Sequence, residues 1–121
     1  MRWDLSAMTI NGDFNDTSDV ALKENIADIT DATTKIKALQ PRTFDWKDKT
    51  KAQGTNGFIA QEVETVLPKL VIGDDYDAEN PHHGNKSINT TGLLAVAVKA
   101  IQEQQEQIET LKKEVEELKG G

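Results

Sequence analysis

The chain has 121 residues, no cysteine and a formal net charge of -7; 36% of its residues are hydrophobic and 5% aromatic. The acidic balance speaks against nucleic acid and anionic membrane surfaces as partners, which require clustered Lys and Arg. The missing cysteines exclude a disulfide framework or a thiolate metal site. The length allows one modest domain with a small core, so assembly is expected to supply part of the burial. No apolar run approaches the length of a membrane span.

Residues 1–17, MRWDLSAMTINGDFNDT, carry Trp3, Leu5, Met8, Ile10 and Phe14 among polar residues and the turn pair Asn11-Gly12. Short strands around a tight turn are expected there. The opening lacks the apolar core of a signal peptide and reads as the cut end of something larger. Residues 18–30, SDVALKENIADIT, show no decisive period. Asp31 is placed to cap a short helix through Leu39, which Pro41 stops. Residues 42–46, RTFDW, alternate and put Phe44 and Trp46 on one side of a strand. A charged loop follows to Asn56, and Gly57-Phe58-Ile59-Ala60 returns to the core. Residues 61–67 read as a helix with Val63, Val66 and Leu67 inward, ended by Pro68. Leu70-Val71-Ile72 and Ser87-Ile88 read as strands on either side of the acidic, turn-rich loop 73–86.

Asn89 is a plausible N-cap for the last element, which starts near Thr90. Residues 93–119, LLAVAVKAIQEQQEQIETLKKEVEELK, contain neither Pro nor Gly. Leu94, Ile101, Ile108 and Val115 recur every seven residues. Ala97, Gln104, Leu111 and Leu118 follow each of them by three, giving a heptad seam with one polar intruder, Gln104. Such a helix outreaches a small body, so its seam calls for copies of itself or another chain. The heptads alone leave two strands against three open. The expected fold class is α+β: a small mixed body, residues 18–89, stitched to a coiled-coil helix, residues 90–121.

Several constellations of residues could in principle carry chemistry. His82-His83 beside Asp74, Asp75, Asp77 and Glu79 invites a metal, but adjacent histidines point apart, and a solvated acidic loop is the favoured reading. DDYDAEN lacks the spacing and closing Glu of a calcium loop. Phe44, Trp46 and Phe58 read as core packing rather than a base-stacking platform. The glycines follow no nucleotide-binding spacing. Neither metal nor cofactor is expected.

Ser18 and Lys23 remain. A neutral Lys amine can take the proton of a Ser hydroxyl, and burial among Val20, Leu22 and Ile26 would favour the neutral amine. Residues five apart lie about 140° apart around an α-helix. The pair therefore meets only if Ser18 precedes the helix and the chain folds back. Taken by itself, the pair reads more blandly, with Ser18 as a cap and Lys23 as a solvated cation.

The order of segments adds to this reading. Ser18-Asp19-Val20-Ala21-Leu22-Lys23-Glu24-Asn25-Ile26 is followed by Phe44-Asp45-Trp46 and by Gly57-Phe58-Ile59-Ala60-Gln61-Glu62-Val63-Glu64. Pro68, Leu70-Val71 and a helix running through Ala100-Ile101-Gln102-Glu103 into heptads complete the series. The chain resembles the self-cleaving intramolecular chaperone domain at the C-terminus of phage tailspikes, tail fibres, neck appendages and endosialidases, also found in the myelin regulatory factor.

The resemblance implies a homotrimer that registers three fibre chains while an upstream fibre domain of the same chain folds, then cuts itself off. It makes Ser18 the nucleophile, Lys23 the general base and Thr17-Ser18 the scissile bond, with residues 1–17 the end of the mature fibre. No cofactor is implied. The protein would be a virion fibre precursor made in the host cytoplasm, with the chaperone absent from the mature particle. The alternatives are a permanent, non-catalytic trimerisation module and a receptor-binding tip that uses loop 73–86.

Overall fold

The computed structural model describes residues 10–76, 78–79 and 85–120. After a single 3-10 turn at Val20–Leu22 come helix α1 (Ala32–Ala38), strands β1 (Arg42–Phe44) and β2 (Thr55–Gly57), and helix α2 (Ala60–Val66). A second 3-10 turn, Pro68–Leu70, leads into β3 (Val71–Ile72), then β4 (Ser87–Ile88) and the long helix α3 (Thr90–Gly120). β1 pairs antiparallel with β2, Thr43 opposite Asn56, and β3 pairs antiparallel with β4, Val71 opposite Ile88. The class is α+β, as expected. Residues 10–17 hold no strand; the rest of the expected N-terminal strands falls outside the described residues. Pro41 and Pro68 stop α1 and α2 because a proline supplies no N–H and restricts the residue before it.

The core is small and lies where α1, α2 and β3 meet the first turns of α3. Ala32, Leu39, Val63, Leu67, Val71, Leu93, Val96 and Ala100 are buried, with Ile36, Phe58, Val66 and Ile88 packed around them. The inward helical face expected around Val63, Val66 and Leu67 is thus present. α3 begins as the sequence suggested. The Asn89 side chain accepts the Gly92 N–H at 3.0 Å, and its carbonyl accepts the Leu93 N–H at 3.1 Å. Gly92 packs closely there: a Cβ would lie 2.5 Å from Leu70 Cδ2, so the Leu70 side chain would have to shift to admit one. The 31 residues of α3 span about 46 Å. Its first four turns, through Glu103, lie against the body.

The cap of α1 differs from expectation. Asp31 adopts a left-handed conformation (φ 55°), and its side chain makes no capping bond. The cap is Glu103 of α3, which accepts the Thr33 N–H at 2.8 Å, the Thr33 hydroxyl at 2.5 Å and the Ala32 N–H at 3.3 Å. A carboxylate there satisfies orphan amides and complements the positive end of the helix dipole. The Thr33 hydroxyl first, and then the backbone amides, hold the Glu103 carboxyl below the usual carboxylate range.

The aromatic expectation also needs correction. Phe58 joins the core, but Trp46 lies beyond the end of β1 and is 41% exposed. It meets Phe44 edge-on at 5.3 Å, with the Lys51 ammonium 4.5 Å from the centre of its ring. This is a local hairpin cluster. Nearby, Arg42 forms a forked pair with Glu62, at 3.1 and 2.6 Å, that fastens the hairpin to α2.

Two outcomes follow. Leu93→Ala removes a buried side chain from the middle of the core and should cost about 2–5 kcal/mol in a urea titration. A carboxyl held below its unfolded value stabilises the fold above the ordinary carboxylate range, and that contribution is lost as pH falls through the lowered value. Glu103→Gln should therefore melt below the wild type at about pH 7, and the gap should narrow on acidification to about pH 3.

Candidate functional site

The segment after residue 17 folds into one tight turn. The Asp19 side chain accepts the Ala21 N–H at 2.9 Å, and its carbonyl accepts the Leu22 N–H at 3.0 Å. The Lys23 N–H closes the turn on the Val20 carbonyl at 3.1 Å, and Lys23 then leaves in extended conformation. The cap is thus Asp19 and not Ser18. Ser18 stands ahead of the turn, and the Lys23 stem reaches back across it. Lys23 Nζ donates to Ser18 Oγ at 2.6 Å. The route foreseen for this pair, with Ser18 before the helix and the chain folded back, is the one observed.

The expected burial is not. Val20, Leu22 and Ile26 are 70%, 73% and 68% exposed, and the Ser18–Lys23 bond is exposed with them. None of the three joins the core formed by α1, α2, β3 and α3. On the other side of Ser18, the Asp16 carboxylate accepts the Thr91 hydroxyl of α3 at 2.5 Å.

The heptad residues lie outside the core. Leu94, Ile101, Ile108, Leu111, Val115 and Leu118 are all exposed, as is Gln104, while Ala97 is partly covered. Leu93, Val96 and Ala100 meet the body instead. Loop 73–86 is described only in part, and His82, His83 and Asp77 lie outside the described residues. Within it, Lys86 pairs with Glu64 at 2.6 Å and Asp75 at 3.7 Å. Among the described residues no group of three or more His, Asp or Glu could hold a metal ion, and no helix is long and apolar enough to cross a membrane.

Sequence reasoning singled out Ser18, Lys23 and Asn89, and the structure brings the first two within hydrogen-bond reach and sets the third at the start of α3. The same reasoning missed the Asp19 cap, the Glu103 bridge and the Asp16–Thr91 contact. Asp19 had a local signal, an Asp followed by a short apolar run. The other two join residues about seventy positions apart or more, and no local pattern announces them.

Fold and site together define a small α+β module with a hydrogen-bonded Ser–Lys pair near its N-terminal end and an uncovered apolar stripe along its last helix. Residues 18–72 match a peptidase family model described as chaperone of endosialidase. Curated relatives agree. The long tail fiber protein Gp37 of Salmonella phage S16 is 31% identical over 113 residues, covering 93% of this chain and 14% of that protein. The Gp37 proteins of Enterobacteria phages M1 and Ox2 are 34% and 33% identical over 110 residues, covering 84% of this chain and 42% of each relative. The chain therefore spans less than half the length of these relatives.

Proposed function

We propose that this chain is the C-terminal intramolecular chaperone of a phage tail fibre protein, that it works as a homotrimer, and that it releases itself by cutting between Thr17 and Ser18. The observation that carries the reading is the 2.6 Å bond from Lys23 Nζ to Ser18 Oγ. It is supported by the family match, which begins at Ser18, and by the tail fibre relatives. In this reading residues 1–17 belong to the released fibre, residues 18–89 form the chaperone body, and residues 90–121 form the trimerising helix.

The chemistry needs only the chain and water. Neutral Lys23 takes the hydroxyl proton while Ser18 Oγ attacks the Thr17 carbonyl carbon. The tetrahedral centre collapses, the Thr17–Ser18 C–N bond breaks, and the Lys23 ammonium returns the proton to the leaving nitrogen. An ester now joins Thr17 to Ser18 Oγ. Water adds its hydroxyl to the Thr17 carbonyl and its remaining proton to Oγ. The products are a carboxylate at Thr17 and a free amine at Ser18.

Lys23 must be neutral for the first step, and removal of water favours that form. Val20, Leu22 and Ile26 stand exposed around it in one chain. Docking of a neighbouring chain over them dehydrates the pair, so cleavage follows assembly. The seam residues Leu94, Ala97, Ile101, Gln104, Ile108, Leu111, Val115 and Leu118 provide that assembly. A helical zipper registers three chain ends through local contacts, before any long-range pairing has to meet its loop-closure cost. Once cut, the fibre is held by its own unfolding barrier, and the chaperone leaves the mature particle.

The exposure of the dyad segment also suits a second reading, a permanent trimerisation module in which the pair is only structural. Intact mass separates the two. Self-cleavage gives a seventeen-residue N-terminal piece, and Ser18→Ala and Lys23→Ala each abolish it; an uncut wild-type trimer leaves the second reading standing. Ile101→Asp with Ile108→Asp should shift sedimentation from trimer to monomer and slow cleavage at least about tenfold. Cleavage at an unchanged rate in the dissociated protein would remove the link between assembly and cutting.

A further inference from the structure

Both sides of the Thr17-Ser18 bond are held, and by different parts of the fold. Downstream, the Asp19 side chain and the Lys23 ammonium fix the turn and the hydroxyl. Upstream, Asp16 is tied to Thr91 at the start of α3, 75 residues away in the chain. We propose that Thr91 is a positioning residue for self-cleavage, acting through Asp16 to set the acyl side of the scissile bond. The proposal rests on the reading of Ser18 and Lys23 given above.

Attack on the preceding carbonyl is a contest of torsions. Ser18 Oγ and the Thr17 carbonyl carbon are joined through the Ser18 nitrogen, Cα and Cβ, so their approach is set by φ and χ1 of Ser18, and φ is the rotation that swings the upstream chain against the turn. A chain held only downstream leaves the carbonyl free to swing, and small misplacements at a reacting centre are costly in rate. Holding Asp16 removes that freedom one residue before the carbonyl.

The anchor is suited to this work. A hydroxyl donating to a carboxylate is a charge-assisted bond, stronger than a neutral surface contact. The carboxylate also sits by the first turn of a 31-residue helix, where the dipole favours negative charge. The turn is itself capped and packed. Asn89 caps it, Gly92 lies close against Leu70, and Leu93 and Val96 are buried behind it. The helix that carries the assembly seam is thus the one that grips the segment to be cut. During the reaction the acyl group moves from the Ser18 nitrogen to Ser18 Oγ and then to water, and Thr91 exchanges no proton with it.

The test uses the full chain above its assembly concentration, with first-order cleavage followed by intact mass. Thr91→Val removes the hydroxyl at nearly constant shape and should slow cleavage on the order of tenfold. Thr91→Ser should restore the rate. Asp16→Ala should match Thr91→Val, and the double variant should be no slower than either single one. In a Ser18→Ala background, sedimentation and melting temperature should be unchanged by Thr91→Val, which a merely structural role would not allow. A wild-type rate in Thr91→Val, additive effects with Asp16→Ala, or slowing that appears only with lost assembly would each overturn the proposal. Those outcomes leave the parent reading intact; it fails instead if the wild type stays whole or Ser18→Ala is still cut.

Discussion

Leu93 and Leu94 are neighbours in the chain and about 100° apart around α3. The first is 8% exposed and the second 63%. That division runs along the first three turns of the helix. Leu93, Val96 and Ala100 close the body's own core, and the stripe beginning at Leu94 is left to solvent. Among the described residues, nothing in the body covers the second face. The remaining apolar area is a physical pressure towards association, since water-exposed stripes of this length are unfavourable.

The same helix organises the polar contacts. Glu103 reaches from it to finish the first turn of α1, and Thr91 reaches from it to Asp16. The Ser–Lys pair therefore hangs in a segment tied to α3 at both ends: directly through Asp16, and less directly through α1 and Glu103. A single rod thus closes the core, carries the exposed heptad stripe and flanks the turn that holds Ser18 and Lys23. This concentration of roles explains how a domain with a minimal core can be coupled to the state of its last helix.

Much of this was legible in the residues. Pro41 and Pro68 mark helix ends by removing a donor, Asn89 caps by its side-chain oxygen, and the heptads announce themselves by spacing alone. Ser18 and Lys23 were legible as a pair, with a geometric condition attached that the 3-10 turn meets. The misses share a cause. Asp31 looked like the cap of α1 because it is adjacent, but a residue in left-handed conformation cannot aim its side chain at that turn, and a distant carboxylate took the place. Trp46 looked like core because alternation extends through it. The strand stops at Phe44, and the indole stays at the hairpin with Lys51. The exposure of Val20, Leu22 and Ile26 was unreadable because it depends on what the core has room for, a property of the whole fold.

The Glu103 bridge also bears on the order in which the molecule is made. α1 emerges from a ribosome before α3, but its cap lies about seventy residues further on. Until α3 follows, the first turn of α1 has only water for its amides, and a seven-residue helix is marginal without tertiary support. The clasp on α1 closes only after Glu103 has been synthesised, and a chain broken off before that residue is left without it.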